Sequence, residues 1–289
     1  MNGAGAVARY TLLELSRRRI LLVFFVLGAV GTLVLGVGLK VLYTLAANGA
    51  VPAASDPARF QKFLQLSFMS DLYGALGIFG LLIAYSIGMT AIYHDLESGA
   101  AVSIFSKPVS RLAFSAGKVA AAVAALIVIV GLLAVEARLV MLLFQGGLEG
   151  SLTGEVVATA ANSVVVMLLV LALSTWMNNI VAAIVAFVYY SVITGVINTV
   201  HNLADSGAFN NDVVKGVFDV LYWFVPHTLV SSAPGDLVRA QIDLSNSPRD
   251  AQTLALIPSA SGAGDILWWA FFVVLFCGLV YWAVRRRQV

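Results

Sequence analysis

The residues able to do chemistry are few, and their spacing excludes most reactions. Gly117-Lys118 is the nearest thing to a phosphate-binding loop. Val119 follows it where Ser or Thr is needed, and Leu112 stands where the first Gly of that loop belongs. Any ATP that serves this chain must therefore bind elsewhere. His94, His201 and His227 have no ligand spacing to one another or to Cys277, so no metal centre is expected. No His is placed by sequence to complete a nucleophilic triad, and no catalytic residue is assigned. A single cysteine makes an internal disulfide impossible.

What remains is a set of polar groups within apolar stretches. Glu136, Asn162 and Asn198 are the candidates for a gate or a pathway. Glu136 lies 18 residues after Lys118, or ~27 Å at 1.5 Å per helical residue, which puts it near a membrane boundary. An ion pair or headgroup contact for the helix ends is the plainer reading of Glu136. Gly117, Ala121 and Ala125 form a small-residue stripe suited to close helix packing.

The elements holding these groups follow from composition. Of 289 residues, 60% are apolar and only 11% charged, and mean hydropathy is +0.94. Soluble domains carry about 25% charge. A soluble enzyme, a disordered chain and a nucleic-acid reader are thereby excluded. A bilayer core about 30 Å thick needs roughly 20 apolar helical residues. Six stretches qualify: 20–46, 72–93, 119–144, 156–176, 180–200 and 266–284. None shows the alternation of a transmembrane strand. The first is too long to be a signal peptide's apolar core, so cleavage is not expected. The expected fold is one all-α membrane domain over residues 1–289. Trp268, Trp269 and Trp282 fit interfacial belts.

Basic residues set the orientation. With the N-terminus inside, ten of the 17 Lys and Arg residues and three of the 15 acids fall on the inner side. That leaves about +7 inside and about −5 outside, a positive-inside asymmetry with both termini cytoplasmic.

Three segments outside the spans have structure of their own. Residues 1–19 read as an interfacial helix, in which Glu14 precedes Arg18 by one turn. A plain charged anchor is the other reading. Ser55-Asp56-Pro57 is a helix start, followed by Phe60, Phe63, Leu64 and Phe68 on one face. Residues 201–265 form an outer region, with an amphipathic helix after Asn211-Asp212, and read as a lid on the bundle.

The inner connection, 94–118, runs HDLESGAAVSIFSKPVSRLAFSAGK. Asp95 and Glu97 open it, Gly99 follows, and an apolar helix-like piece reaches Phe105. Lys107-Pro108 then breaks the helix, because the residue before Pro is pushed out of it. Such a knob suits docking of a soluble partner. An ordinary basic loop is the plainer reading.

This loop resembles that of bacterial type-2 ABC (ATP-binding cassette) exporter permeases, many of which carry an E-x-G-T-x-x-x-L-L-x-x-P-x-S-R-like pattern. Glu97, Gly99, Pro108, Ser110 and Arg111 match; Ala100 replaces Thr, and Ile104-Phe105 replace the paired leucines. The motif covers about fifteen residues, and the resemblance in layout covers the chain. It implies a multi-pass permease of the bacterial cytoplasmic (inner) membrane, paired with a second permease copy or homologue. Two ATP-binding cassette ATPase subunits would bind ATP and Mg; this chain would hold no cofactor. The loop would be a coupling helix seated on the ATPase. Glu97 and Arg111 would form its polar rim with Asp95 and Lys107, Ile104 and Phe105 its apolar core, and Met177-Asn178 a second contact. A membrane assembly or sensor protein and an ATP-independent carrier or channel remain alternatives.

Overall fold

The computed structural model describes residues 3–49, 57–97, 109–144, 151–205, 212–245 and 260–286. Helix is the only regular structure among them. Helix α1 covers Gly3–Ser16 and α2 Arg19–Gly49. Helix α3 covers Pro57–Thr90, α4 Tyr93–Glu97 and α5 Arg111–Phe144. Helix α6 is Ser151–Ser174. The fifth long element begins as α7, Asn179–Phe187, passes through a π-helical stretch, Val188–Thr194, and continues as α8, Gly195–Asp205. Then come α9, Asp212–Tyr222, α10, Ala233–Ser245, and α11, Ala263–Arg286. Among the described residues, six helices are long and apolar enough to cross a membrane, with α7, the π stretch and α8 counted as one.

Two boundaries differ from expectation in a way that matters. The amphipathic stretch from Pro57 and the second span are a single helix, because no Gly or Pro stands between Phe68 and Leu72. Helix α5 starts at Arg111, eight residues before the expected 119. Ser110 explains that start: its hydroxyl accepts the Ala113 N–H at 3.1 Å, a helix N-cap. Lys118 therefore sits two turns inside a helix. The π stretch was not expected. Its wider turn shows in Thr194, whose hydroxyl donates to the Tyr189 carbonyl five residues back at 3.0 Å.

Helix α6 is the centre of the bundle. Residues 163–170 are all buried, and its most extensive neighbour is α3. Close approach there needs Gly88, where a Cβ would lie 2.8 Å from both the Met167 carbonyl oxygen and the Val170 Cβ. Between apolar helices in lipid, such packing takes over from the hydrophobic effect as the main attraction. Helices α2, α7–α8 and α11 are peripheral and keep large apolar side chains exposed, as at Val30, Ile184 and Val274.

Helix α1 packs alongside the first half of α5, from Gly3 near Val109 and Ala113 to Glu14 at Lys118, and the Arg111 guanidinium donates to the Arg285 carbonyl at 2.5 Å. Both termini are thus at one end, called the basic end below. The α1–α5 packing depends on Gly117, where a Cβ would stand 2.7 Å from the Ala4 carbonyl oxygen and 2.9 Å from the Val7 Cβ. Gly117→Ala is expected to destabilise the protein by ~1–3 kcal/mol through overpacking. Gly131→Ala, with nothing within 4 Å of the new methyl, should be neutral or slightly stabilising. Thermal unfolding of the two purified variants checks the contrast.

Candidate functional site

The basic end is organised by one buried cation. Lys118 is fully buried, and its ammonium lies 2.5 Å from Asp95 Oδ2 and 3.4 Å from Glu14 Oε2. The side chain of Asp95 is itself 3% exposed. Glu14 also pairs with Arg18 one turn on. The ammonium further lies 5.7 Å from the Tyr10 ring centre and 6.0 Å from that of Phe114, within cation–π range. Two cations and two carboxylates make a neutral quartet, the arrangement that lets charge remain in an apolar setting. Burial alone would push the Glu14 carboxyl up. The Arg18 hydrogen bond and the Lys118 and Arg18 charges outweigh it and hold the carboxyl below its ordinary value.

The quartet ties three elements together. Glu14 is on α1, Asp95 on α4 just past the second span, and Lys118 on α5. Asp95 and Lys118 bracket the inner connection. Asp95, expected at a docking rim, is instead buried in this lock. Lys118, expected as a basic residue at the membrane edge, is its centre. The early start of α5 was the missed clue: residues 111, 114 or 115, and 118 then share a face.

The other inner residues lie around this lock. Glu97 is exposed and accepts from the Tyr93 hydroxyl at 3.2 Å. Arg111 holds the last turn of α11 through the Arg285 carbonyl, where a cation also complements the helix dipole. Asn178 caps α7, its Oδ1 accepting the Ile180 N–H at 2.9 Å. Met177 beside it is half-buried. Trp176 faces Trp282 with ring centres 4.7 Å apart, and the Arg286 guanidinium lies 3.9 Å from the Trp282 ring. The structure thus brings Asp95, Glu97, Arg111, Met177 and Asn178 to one end. Gly99, Ile104, Phe105, Lys107 and Pro108 lie outside the described residues.

At the opposite end, the irregular segment 225–231 is clamped by side chains. Asn162 donates to the Leu229 carbonyl and accepts the Leu229 N–H, both at 2.9 Å. Asn198 donates to the Thr228 hydroxyl at 2.9 Å, and Trp268 donates to the Val225 carbonyl at 3.2 Å. Ser261 and Val230 exchange two bonds, at 2.8 and 2.9 Å. Both asparagines thus satisfy backbone or hydroxyl partners of this segment. Glu136 is half-buried on α5.

Composition gave no hint of the aromatic stack beside this clamp. Tyr222 is sandwiched between His201 and His227, with ring centres 3.9 and 3.7 Å away. His201 pairs with Asp219 at 2.9 Å; the His227 ring and the Tyr222 hydroxyl both bond Asp265 Oδ1 at 3.0 Å. Among the described residues no three His, Cys, Asp or Glu side chains group as metal ligands. Compared with known proteins, the chain matches no family model and no curated protein.

Two tests follow. Lys118→Ala leaves Asp95 buried and unpaired and is expected to cost ~3–5 kcal/mol, whereas Lys118→Met with Asp95→Leu should recover most of it. Thermal unfolding of the single and double variants measures both. At the other end, burial pushes His227 below its ordinary value near 6.5, with the Asp265 hydrogen bond and charge offsetting only part of this. The unfolded chain then protonates first. The stability from neutral His227 is complete above about pH 6.5 and is lost as pH falls below it. The ring centres of Trp223 and Trp268 lie 5.5 and 6.0 Å from the His227 ring. Acidification below about pH 6.5 should therefore change tryptophan emission, and His227→Gln should remove that transition.

Proposed function

We propose that this chain is the membrane-spanning permease subunit of an ATP-binding cassette transporter. It exports a substrate, or transmits force, using ATP and Mg bound by separate subunits. One observation carries the reading: the two ends of the inner connection, Asp95 and Lys118, are joined by a buried ion pair that also holds α1. A push on the connection is then delivered to α1 and to the second and third spans together. A lever worked by a soluble motor needs such a stiff base.

Other features agree with this reading. The basic end faces the cytoplasm by the positive-inside rule, with both termini there. The E-x-G and P-x-S-R elements resemble those of a permease coupling loop, and on this reading Gly99, Ile104, Phe105, Lys107 and Pro108 belong to the contact with the ATPase. Glu97 is exposed for a rim contact, and Met177-Asn178 offers a second one. The described spans hold no chain of mid-membrane charges of the kind an ion-driven carrier uses. Of the gate candidates, Glu136 retains that role; Asn162 and Asn198 act as clamps. The exposed apolar faces of the peripheral helices suit lipid and a second permease copy.

The test is affinity purification of the tagged full chain from native membranes in mild detergent. A co-purifying ATPase inhibited by vanadate is the expected result. Glu97→Ala should weaken coupling a few-fold, the ~0.5–1 kcal/mol scale of a rim contact, without lowering thermal stability. A partner without ATPase activity would overturn the reading in favour of an assembly or sensor protein. Flux through vesicles holding the chain alone would favour a carrier.

A further inference from the structure

Beside α1 the fold leaves an apolar groove of about 500 Å³. Leu12 and Leu13 of α1, Leu22 and Phe25 of α2, and Val128 and Leu132 of α5 line it; Ser16 is its one polar residue. Its volume lies within the ~300–1,000 Å³ usual for small-molecule sites. Leu22, Val128 and Leu132 are each more than half exposed, so the groove opens on the side where α2 and α5 meet lipid.

The corner joining its α1 and α2 walls is Arg17-Arg18-Arg19. Leu15 and Ser16 line the groove before this corner, and Leu21 and Leu22 line it after. Arg18 is neutralised by Glu14, which pairs with it across one turn. Arg17 and Arg19 are exposed and pair with no acid among the described residues. An apolar slot beside a corner of net charge +2 matches a molecule with a hydrocarbon tail and an anionic head.

We propose that this groove binds one anionic phospholipid, with an acyl chain along α5 and the headgroup phosphate held by Arg17 and Arg19. The lipid fills the space between α1 and the two spans, and so holds α1 to the bundle from the side away from Lys118. A zwitterionic lipid has the same tail but leaves the corner charge uncompensated. This site does not depend on the transporter reading.

Native mass spectrometry of the purified full chain, incubated with phosphatidylglycerol or phosphatidylcholine, tests the proposal. The expected result is one retained phosphatidylglycerol and markedly less phosphatidylcholine. Arg17→Gln with Arg19→Gln should reduce phosphatidylglycerol retention on the order of tenfold. Val128→Trp, at an exposed wall position that leaves the core intact, should block the groove and lower retention of both lipids. Equal retention of the two lipids by the wild type overturns the proposal. So does phosphatidylglycerol retention unchanged in both variants. Thermal unfolding of each variant shows that it has folded.

Discussion

A lysine ammonium with no access to water is the constraint on which this structure turns. Left unpaired among apolar side chains, it would cost more than a small bundle can spare. Its compensation dictates the surroundings. Asp95 must reach it, so the chain turns back through α4 directly after the second span. Glu14 must reach it, so α1 packs alongside the first half of α5. Close contact then requires the residue before the lysine to have no side chain, and Gly117 supplies that. Capping by Ser110, the early start of α5 and the burial of Leu15 beside the quartet belong to the same solution.

The opposite end is held by different chemistry. There amide, hydroxyl and indole groups bond an irregular segment, mostly at its backbone, and Asp219 and Asp265 hold the histidines beside it. A chain without helix near the bilayer must satisfy its backbone locally. Asn162, Asn198, Ser261 and Trp268 do so. The middle of the bundle has neither device and relies on shape, with Gly88 admitting α3 against α6. An ionic lock, a steric seam and a hydrogen-bonded clamp thus follow one another from the basic end of the bundle to the opposite end. The ionic part is insensitive to small shifts in distance, while the clamp tolerates almost none.

The spans were legible because a stretch of 20 apolar residues has one stable answer in a bilayer. Leu, Val, Ala and Gly without charge require a helix whatever their neighbours do. The lock was only half legible. Glu14, Asp95 and Lys118 each stood out as charges, but sequence spacing says nothing about residues 23 or 104 positions apart. Lys118 in particular read as a base at the membrane edge, since the helix start at Arg111 rests on the Ser110 cap, which hydrophobic periodicity does not register. Asn162 and Asn198 looked like pathway groups for a similar reason: an amide inside a span has the same sequence whether it meets a substrate or a backbone. The His201–Tyr222–His227 stack joins three separate segments, and its parts follow no shared periodicity. The π turn depends on hydrogen-bond choice rather than residue type.

The clamp has a consequence for how the molecule is made. Synthesis proceeds from the N-terminus, and early parts can settle before later ones exist. The ionic lock needs nothing beyond residue 118, so it can close once the third span is in place. The clamp around 225–231 needs Ser261, Asp265 and Trp268, which emerge last. Until then the Val225 carbonyl, the Val230 N–H and the His227 ring lack these partners within a nascent five-span chain. A ribosome that stalls before the sixth span would leave a molecule with its ionic lock closed and its clamp open.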